Sequence, residues 1–226
     1  MIIGGFQKFS LLDYPGKISS IIFTQGCNFA CAYCHNKELI RTKEYNNVIT
    51  PDEILSFLKQ RKKKLDAVVI TGGEPTLQPD LLEFMKEIKS LGFLIKLDSN
   101  GSRPEIIKEA VNTGIVDFIA MDIKAPLEKY SLITKKEIDT EKIRQSMELI
   151  KNSGIRHEFR TTVLKSLLTE SDIIKIQEYA SGSTLVLQKY VSSKGLNTEL
   201  GVQENYSEEE FLKFKESFSG TQCIIR

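Results

Sequence analysis

Along the 226-residue chain, hydrophobic and polar positions alternate between two rhythms. Short β-branched or apolar runs predict strands at 17–24 (KISSIIFT), 66–71 (DAVVIT), 93–99 (FLIKLDS), 116–124 (VDFIAMDIK), 157–164 (HEFRTTVL) and 183–190 (STLVLQKY). Between and after them, apolar residues recur every three or four positions. That spacing predicts helices over 51–64, 78–91, 103–113, 139–153, 169–181 and 207–218. Thr50-Pro51 with Glu53 behind it, and Thr169 or Ser171 ahead of an acidic residue, supply N-caps. Gly92, Gly114 and Gly154 each follow a helix, where a left-handed C-cap is expected.

Six β-then-α units with no low-complexity linker between them predict one domain over 1–226. Crossover helices impose parallel strands, so the expected α/β fold is a partial (βα)6 barrel, with a flat doubly wound sheet as the alternative. The later strands are unusually polar on one face. Lys96, Asp98 and Asn100 share one side of the third, period 2 puts Asp122 and Lys124 together on the fourth, and Glu158, Arg160, Thr162, Gln188 and Tyr190 continue the trend. Parallel strands covered on both faces should be almost continuously apolar. Either a polar ligand fills this face or internal ion pairs do.

Composition narrows the partners. Thirty-one basic residues are interleaved with 30 acidic ones for a net charge of +1, which leaves no footprint for nucleic acid or anionic lipid. The opening MIIGGFQKFSLLDYPG lacks the features of a signal peptide, and no apolar run reaches the ~18 residues of a membrane span. The expectation is a cytoplasmic protein without membrane contact. Thiols in that compartment stay reduced, so clustered cysteines there point to a metal or redox site.

Cys27, Cys31 and Cys34 lie within the loop 24–36, at the C-terminal end of the first predicted strand, where α/β barrels place their chemistry. A structural zinc would need a fourth ligand from His35 or Cys223. His35 is the neighbour of Cys34 and poorly placed to share one tetrahedral ion; Cys223 is far along the chain. An iron–sulfur cluster held by three thiolates would instead leave one iron open to a substrate or cofactor.

CNFACAYCHN resembles the signature of the radical S-adenosylmethionine (SAM) superfamily, and TGGEP at 71–75 resembles its second signature. The resemblance implies one 4Fe-4S cluster on Cys27, Cys31 and Cys34, with SAM chelated to the open iron and cleaved reductively to a 5′-deoxyadenosyl radical. It implies that Gly72, Gly73 and Glu74 engage the methionine amino group. Tyr33, His35 and Asn36 match positions beside the adenine, and a tyrosine ring is a suitable stacking surface.

GGFQKFSLLDYPGKISSIIFTQGC, LDSNG and MDIK are similar to the activating enzymes of glycyl-radical enzymes, most of all to the activators of anaerobic ribonucleoside-triphosphate reductase. Pyruvate formate-lyase activating enzymes are similar throughout. Such an enzyme takes one hydrogen from a backbone glycine of its partner and receives electrons from a flavodoxin- or ferredoxin-type donor. By the same resemblance Asp98 and Ser99 lie near the SAM carboxylate, and in the formate-lyase branch Asp98, Ser99 and Asp122 would border a monovalent cation. Lys124 balances the carboxylate, and Arg160 contacts the cofactor. Val191 stands where the formate-lyase branch has a histidine. No further cysteines supply an auxiliary cluster.

His157 is expected to be structural, Cys223 a free thiol near the tail, and the helix-ending RKKK at 61–64 a solvated helix end. The tail at about 195–226 has no assigned mechanism. The alternatives are a radical SAM enzyme acting on a small molecule such as a deazaguanine precursor, and a zinc-stabilised Cys3His binding module.

Overall fold

The computed structural model describes residues 1–40, 49–191, 205–218 and 220–226. Its strands are β1 (Ile3–Ser10), β2 (Ser19–Thr24), β3 (Ala67–Gly72), β4 (Leu94–Ser99), β5 (Phe118–Asp122), β6 (Arg156–Val163), β7 (Thr184–Lys189) and β8 (Gln222–Ile225). They follow one another in chain order in a single sheet that does not close. A doubly wound sheet reverses its strand order at a switch point; this order never reverses, which removes that alternative. β1 pairs antiparallel with β2, and the ladders β2–β3, β3–β4, β6–β7 and β7–β8 are parallel.

The helices are α1 (Lys37–Ile40), α2 (Pro51–Gln60), α3 (Leu81–Ser90), α4 (Pro104–Asn112), α5 (Tyr130–Thr134), α6 (Thr140–Asn152), α7 (Glu170–Tyr179) and α8 (Glu208–Ser217). Capping boxes open three of them. Thr50 and Glu53 open α2, Thr169 and Asp172 open α7, and Ser207 and Glu210 open α8. Gly92, Gly114 and Gly154 take positive φ after their helices, as the sequence predicts.

Several boundaries differ from expectation. The helix expected to reach residue 64 stops at Gln60, because 61–64 turn back with Lys63 at φ +69°. The helix expected from 78 begins at Leu81, behind a 3₁₀ turn at Pro75–Leu77. The edge strands β1 and β8 and the short helix α5 were not expected. The expected tail falls partly on residues 195–204 and 219, and YVSSKG partly on 192–195; these lie outside the described residues.

Two compact units divide the chain. One comprises Met1–Asn28, Asn36–Ser99 and Arg103–Ala120; the other comprises Phe29–His35, Asn100–Ser102 and Met121–Arg226. In the first, Tyr14, Ile21, Ala67, Val69, Phe118 and Ala120 form a buried cluster, with Tyr14 and Phe118 rings 5.7 Å apart. In the second, α6 buries Ile143, Met147 and Ile150 at helical spacing, while its Ser146 hydroxyl donates to the Gly101 carbonyl at 2.7 Å. Among the described residues no helix is long and apolar enough to cross a membrane.

Candidate functional site

In the first unit, the site is built where β2 and β3 end. Past Thr24 the chain turns at Gly26, whose φ is +88°, and delivers Cys27. The 72–74 backbone lies directly against this turn: Gly73 N–H donates to Thr24 O and Glu74 N–H to Gly26 O, each at 2.8 Å. The approach needs glycine. A Cβ on Gly72, itself at φ +114°, would fall 2.5 Å from the Thr24 backbone, and one on Gly73 would fall 2.1 Å from Gly26 O. The GG pair therefore clamps the cysteine loop to β3.

Glu74 is 1% exposed. Its Oε1 accepts from Thr76 N–H at 3.1 Å, from the Thr76 hydroxyl, and from Ser99 Oγ at 2.9 Å. It thereby joins the 72–76 turn to the end of β4. On the same strand Lys96, 2% exposed, pairs with Asp98 at 2.9 Å, and its ammonium lies 5.8 Å from the centre of the Phe118 ring.

In the second unit, residues 29–35 are anchored on α5. Ala30 N–H donates to Thr134 O at 2.9 Å, and the Phe29 and Tyr130 rings meet edge to face. Cys34 N–H donates to Cys31 O at 3.0 Å, closing a backbone turn over residues 31–34. Beside them, Asp122 Oδ2 accepts from Lys124 Nζ at 2.9 Å and Asp122 Oδ1 from Arg160 Nε at 2.8 Å. Lys124 is held in turn by its N–H to Tyr130 Oη, 3.2 Å, and its ammonium sits 6.0 Å over the Tyr33 ring.

These neighbours set the ionisation. Burial alone would raise the Asp122 carboxyl, but Arg160 and Lys124 outweigh it and hold it well below the usual carboxylate range. Burial likewise opposes the Lys124 charge, and Asp122, with Tyr33 and Cys31, drives its pKa well above the usual lysine value. Burial pushes the Cys31 thiol up against the opposing pull of Lys124. Burial also raises Tyr33 well above an ordinary phenol. Tyr33 is 4% exposed, and its hydroxyl has no hydrogen-bond partner among the described residues.

The expected residues therefore gather in two groups. Gly72, Gly73, Glu74 and Ser99 join the Cys27 turn; Cys31, Tyr33, Cys34, Asp122, Lys124 and Arg160 form a charged cluster. His35 is stacked on Tyr190 with centroids 5.6 Å apart and with Nε2 3.0 Å from Val191 O. Asn36 opens α1, its carbonyl accepting from Leu39 N–H. Lys96 went unnoticed as the partner of Asp98, although period 2 puts both on one face. No sequence signal pointed to Tyr130.

The polar strand faces carry internal ion pairs, to which Arg226 adds a two-pronged contact with buried Glu158 at 3.1 Å. His157 is structural, held by Ile155 O and Ser183 Oγ. Cys223 is buried in β8, and burial raises its thiol. A cavity of about 390 Å³ lined by His157, Gly154, Gly182 and Gly220 opens at the strand starts, the opposite strand end from Asp122 and Lys124.

The radical SAM superfamily profile matches residues 21–180. The chain belongs to the radical SAM superfamily. A protein of Methanocaldococcus jannaschii provisionally named a glycyl-radical enzyme activating enzyme is 37% identical over 180 residues, 76% of this chain and 72% of its own. The pyruvate formate-lyase-activating enzyme of Clostridium pasteurianum is 28% identical over 186 residues, 76% and 73% of the two chains. The structure of TYW1 with a lysine-pyruvate adduct shares the fold at TM-score 0.65 and 19% identity, covering 88% of this chain and 72% of TYW1.

Radical SAM membership implies a 4Fe-4S cluster and SAM. The donor set suits a thiolate-held cluster: all four cysteines are thiols, none joined in a disulfide. A buried phenol lacking a partner suits a polar ligand, since an unsatisfied hydroxyl costs about 1–3 kcal/mol. Among the described residues no three His, Cys, Asp or Glu side chains are gathered to metal-binding distance. The three-thiolate set thus rests on spacing, thiol chemistry and family.

Proposed function

We propose that this radical SAM enzyme activates a glycyl-radical enzyme, most specifically anaerobic ribonucleoside-triphosphate reductase, by removing a hydrogen atom from one backbone glycine. The observation that carries the reading is the likeness, over three-quarters of the chain, to a glycyl-radical enzyme activating enzyme at 37% identity. Cys27, Cys31 and Cys34 would hold the cluster. Bound together, cluster and SAM supply one-electron chemistry that breaks an unreactive C–H bond.

The chain's own residues hold and orient. The Gly72–Gly73 clamp fixes the turn that carries Cys27. Lys124 keeps a positive charge beside Cys31, favouring the thiolate that a cluster requires. Asp122 and Arg160 keep Lys124 in place. Tyr33 offers its hydroxyl, Glu74 and Ser99 brace the turn, and Asp98, His35 and Asn36 complete the cofactor-binding set. One domain, a cytoplasmic location and a flavodoxin- or ferredoxin-type donor accompany this reading.

Anaerobically purified protein should be brown and carry about four irons per chain, as three thiolates on a cubane cluster require. The paramagnetic signal of the reduced protein should change on adding SAM. Deuterium at the acceptor glycine of the reductase should appear in 5′-deoxyadenosine. A colourless protein with one zinc would overturn the reading in favour of the binding module. Likeness to the Clostridium pasteurianum enzyme supports a second reading, activation of a pyruvate formate-lyase. A glycyl radical formed on that enzyme and absent from the reductase would select it.

A further inference from the structure

The resemblance to the formate-lyase branch places a monovalent cation beside Asp98, Ser99 and Asp122. Such an ion needs oxygen ligands whose charge is not already answered. Here each is engaged. Asp98 Oδ1 lies 2.9 Å from Lys96 Nζ, an ion pair outside hydrogen-bond geometry whose side chains are only 12% and 3% exposed. The Ser99 hydroxyl donates to Glu74 Oε1. Asp122 has one oxygen on Lys124 and the other on Arg160.

The charges sum to zero for Lys96 with Asp98, and to +1 for Asp122 with Lys124 and Arg160. A further cation at either place would meet a protein cation at short range. Lys96 is also hard to displace. Its ammonium lies over the Phe118 ring at 5.8 Å, and leaving Asp98 would strand a buried charge.

We propose that Lys96 is a built-in counter-ion that stands in for a monovalent metal cation at Asp98, so that this chain binds SAM without sodium or potassium. Lys96 is then a positioning residue that acts through Asp98. The inference rests on the radical SAM reading of the end of β4, and its test separates the two.

The cluster-loaded full-length protein is compared in choline chloride and in potassium chloride at equal ionic strength. SAM affinity is read by equilibrium dialysis, and cation binding by thallium(I) NMR line broadening, which needs neither SAM nor turnover. Wild type should bind SAM within about twofold in the two salts, and Lys96→Met should lose about tenfold in choline and recover in potassium, a usual size for coupling between linked ligands. Saturable thallium broadening should appear in Lys96→Met alone, and Lys96→Arg should behave as wild type.

Wild type that needs potassium, or broadens thallium saturably, overturns the proposal. So does a Lys96→Met loss that is equal in both salts, the mark of a merely structural lysine. Failure to bind SAM in either salt sinks the radical SAM function instead, while the thallium signal still decides the cation.

Discussion

Gly73→Ala tests the clamp between the second signature and the cysteine loop. The new methyl would lie 2.1 Å from Gly26 O and 2.7 Å from Gly26 C, so the two backbones must separate by about 1 Å to reach ordinary contact. That movement breaks the Gly73-to-Thr24 and Glu74-to-Gly26 hydrogen bonds. Their loss costs about 1 kcal/mol each, and forcing a methyl into packed backbone adds about 1–3 kcal/mol. A total near 4 kcal/mol lowers the melting temperature by about 8 °C in a chain of this length.

Gly92→Ala is the control, since its φ of +92° is unfavourable for alanine but its Cβ meets nothing within 4 Å. It should cost only the local backbone strain, about 1–2 kcal/mol. The chain has no tryptophan, so circular dichroism melts are the suitable assay. Iron content should fall in Gly73→Ala alone, because the displaced turn carries Cys27. If Gly73→Ala melts no lower than Gly92→Ala, the clamp is not what the glycines are for.

Asp122→Asn leaves Lys124 and Arg160 facing each other and should destabilise by about 3 kcal/mol, the scale of a broken partly buried pair. Because the folded Asp122 pKa is depressed, its contribution is complete above the unfolded value of ~3.9 and is lost as pH falls below it. Melting curves of wild type and variant should stay equally separated from neutral pH down to about 5 and converge below about 4; a gap that widens in acid contradicts the assigned ionisation. Tyr33→Phe removes a buried hydroxyl without a partner and should leave the ligand-free protein at least as stable, within about 1 kcal/mol, while weakening SAM binding. A clear drop in melting temperature would reveal a partner for that hydroxyl within the chain. Cys31→Ala should keep its circular dichroism spectrum but lose the cluster and SAM cleavage, and wild-type turnover would refute the thiolate assignment.

The two charged pairings have different consequences. Lys96 and Asp98 sit two residues apart on one strand, so their pairing is local and survives small motions of the sheet. Arg160 reaches Asp122 from another strand, 38 residues away, with Ile123 N–H bonded to Arg160 O beside it. This second pairing depends on strand registry, and changes that shift β6 should affect Asp122 before they affect Asp98.

Local chemistry was legible in the residues alone. Periodicity located the six βα units, since apolar spacing reports the buried face of each element. Thr50, Thr169 and the three C-cap glycines act within one helical turn, so their residue types were enough to reveal them. The cysteine spacing and the GG pair were legible for the same reason, as was the shared face of Lys96 and Asp98.

Long-range pairing was not legible. β1 carries Gly4, Gly5 and three exposed residues, so it has no strand-like pattern and exists only because β2 pairs with it. β8 is four residues long and likewise depends on β7. The arginine partner of Asp122 and the partners of Glu158 and His35 come from residues 38, 68 and 155 or more positions away, where no periodicity connects them. Tertiary structure alone brings Arg160 to Asp122 and Arg226 to Glu158, because only folding carries charges so far apart in sequence within reach of one another.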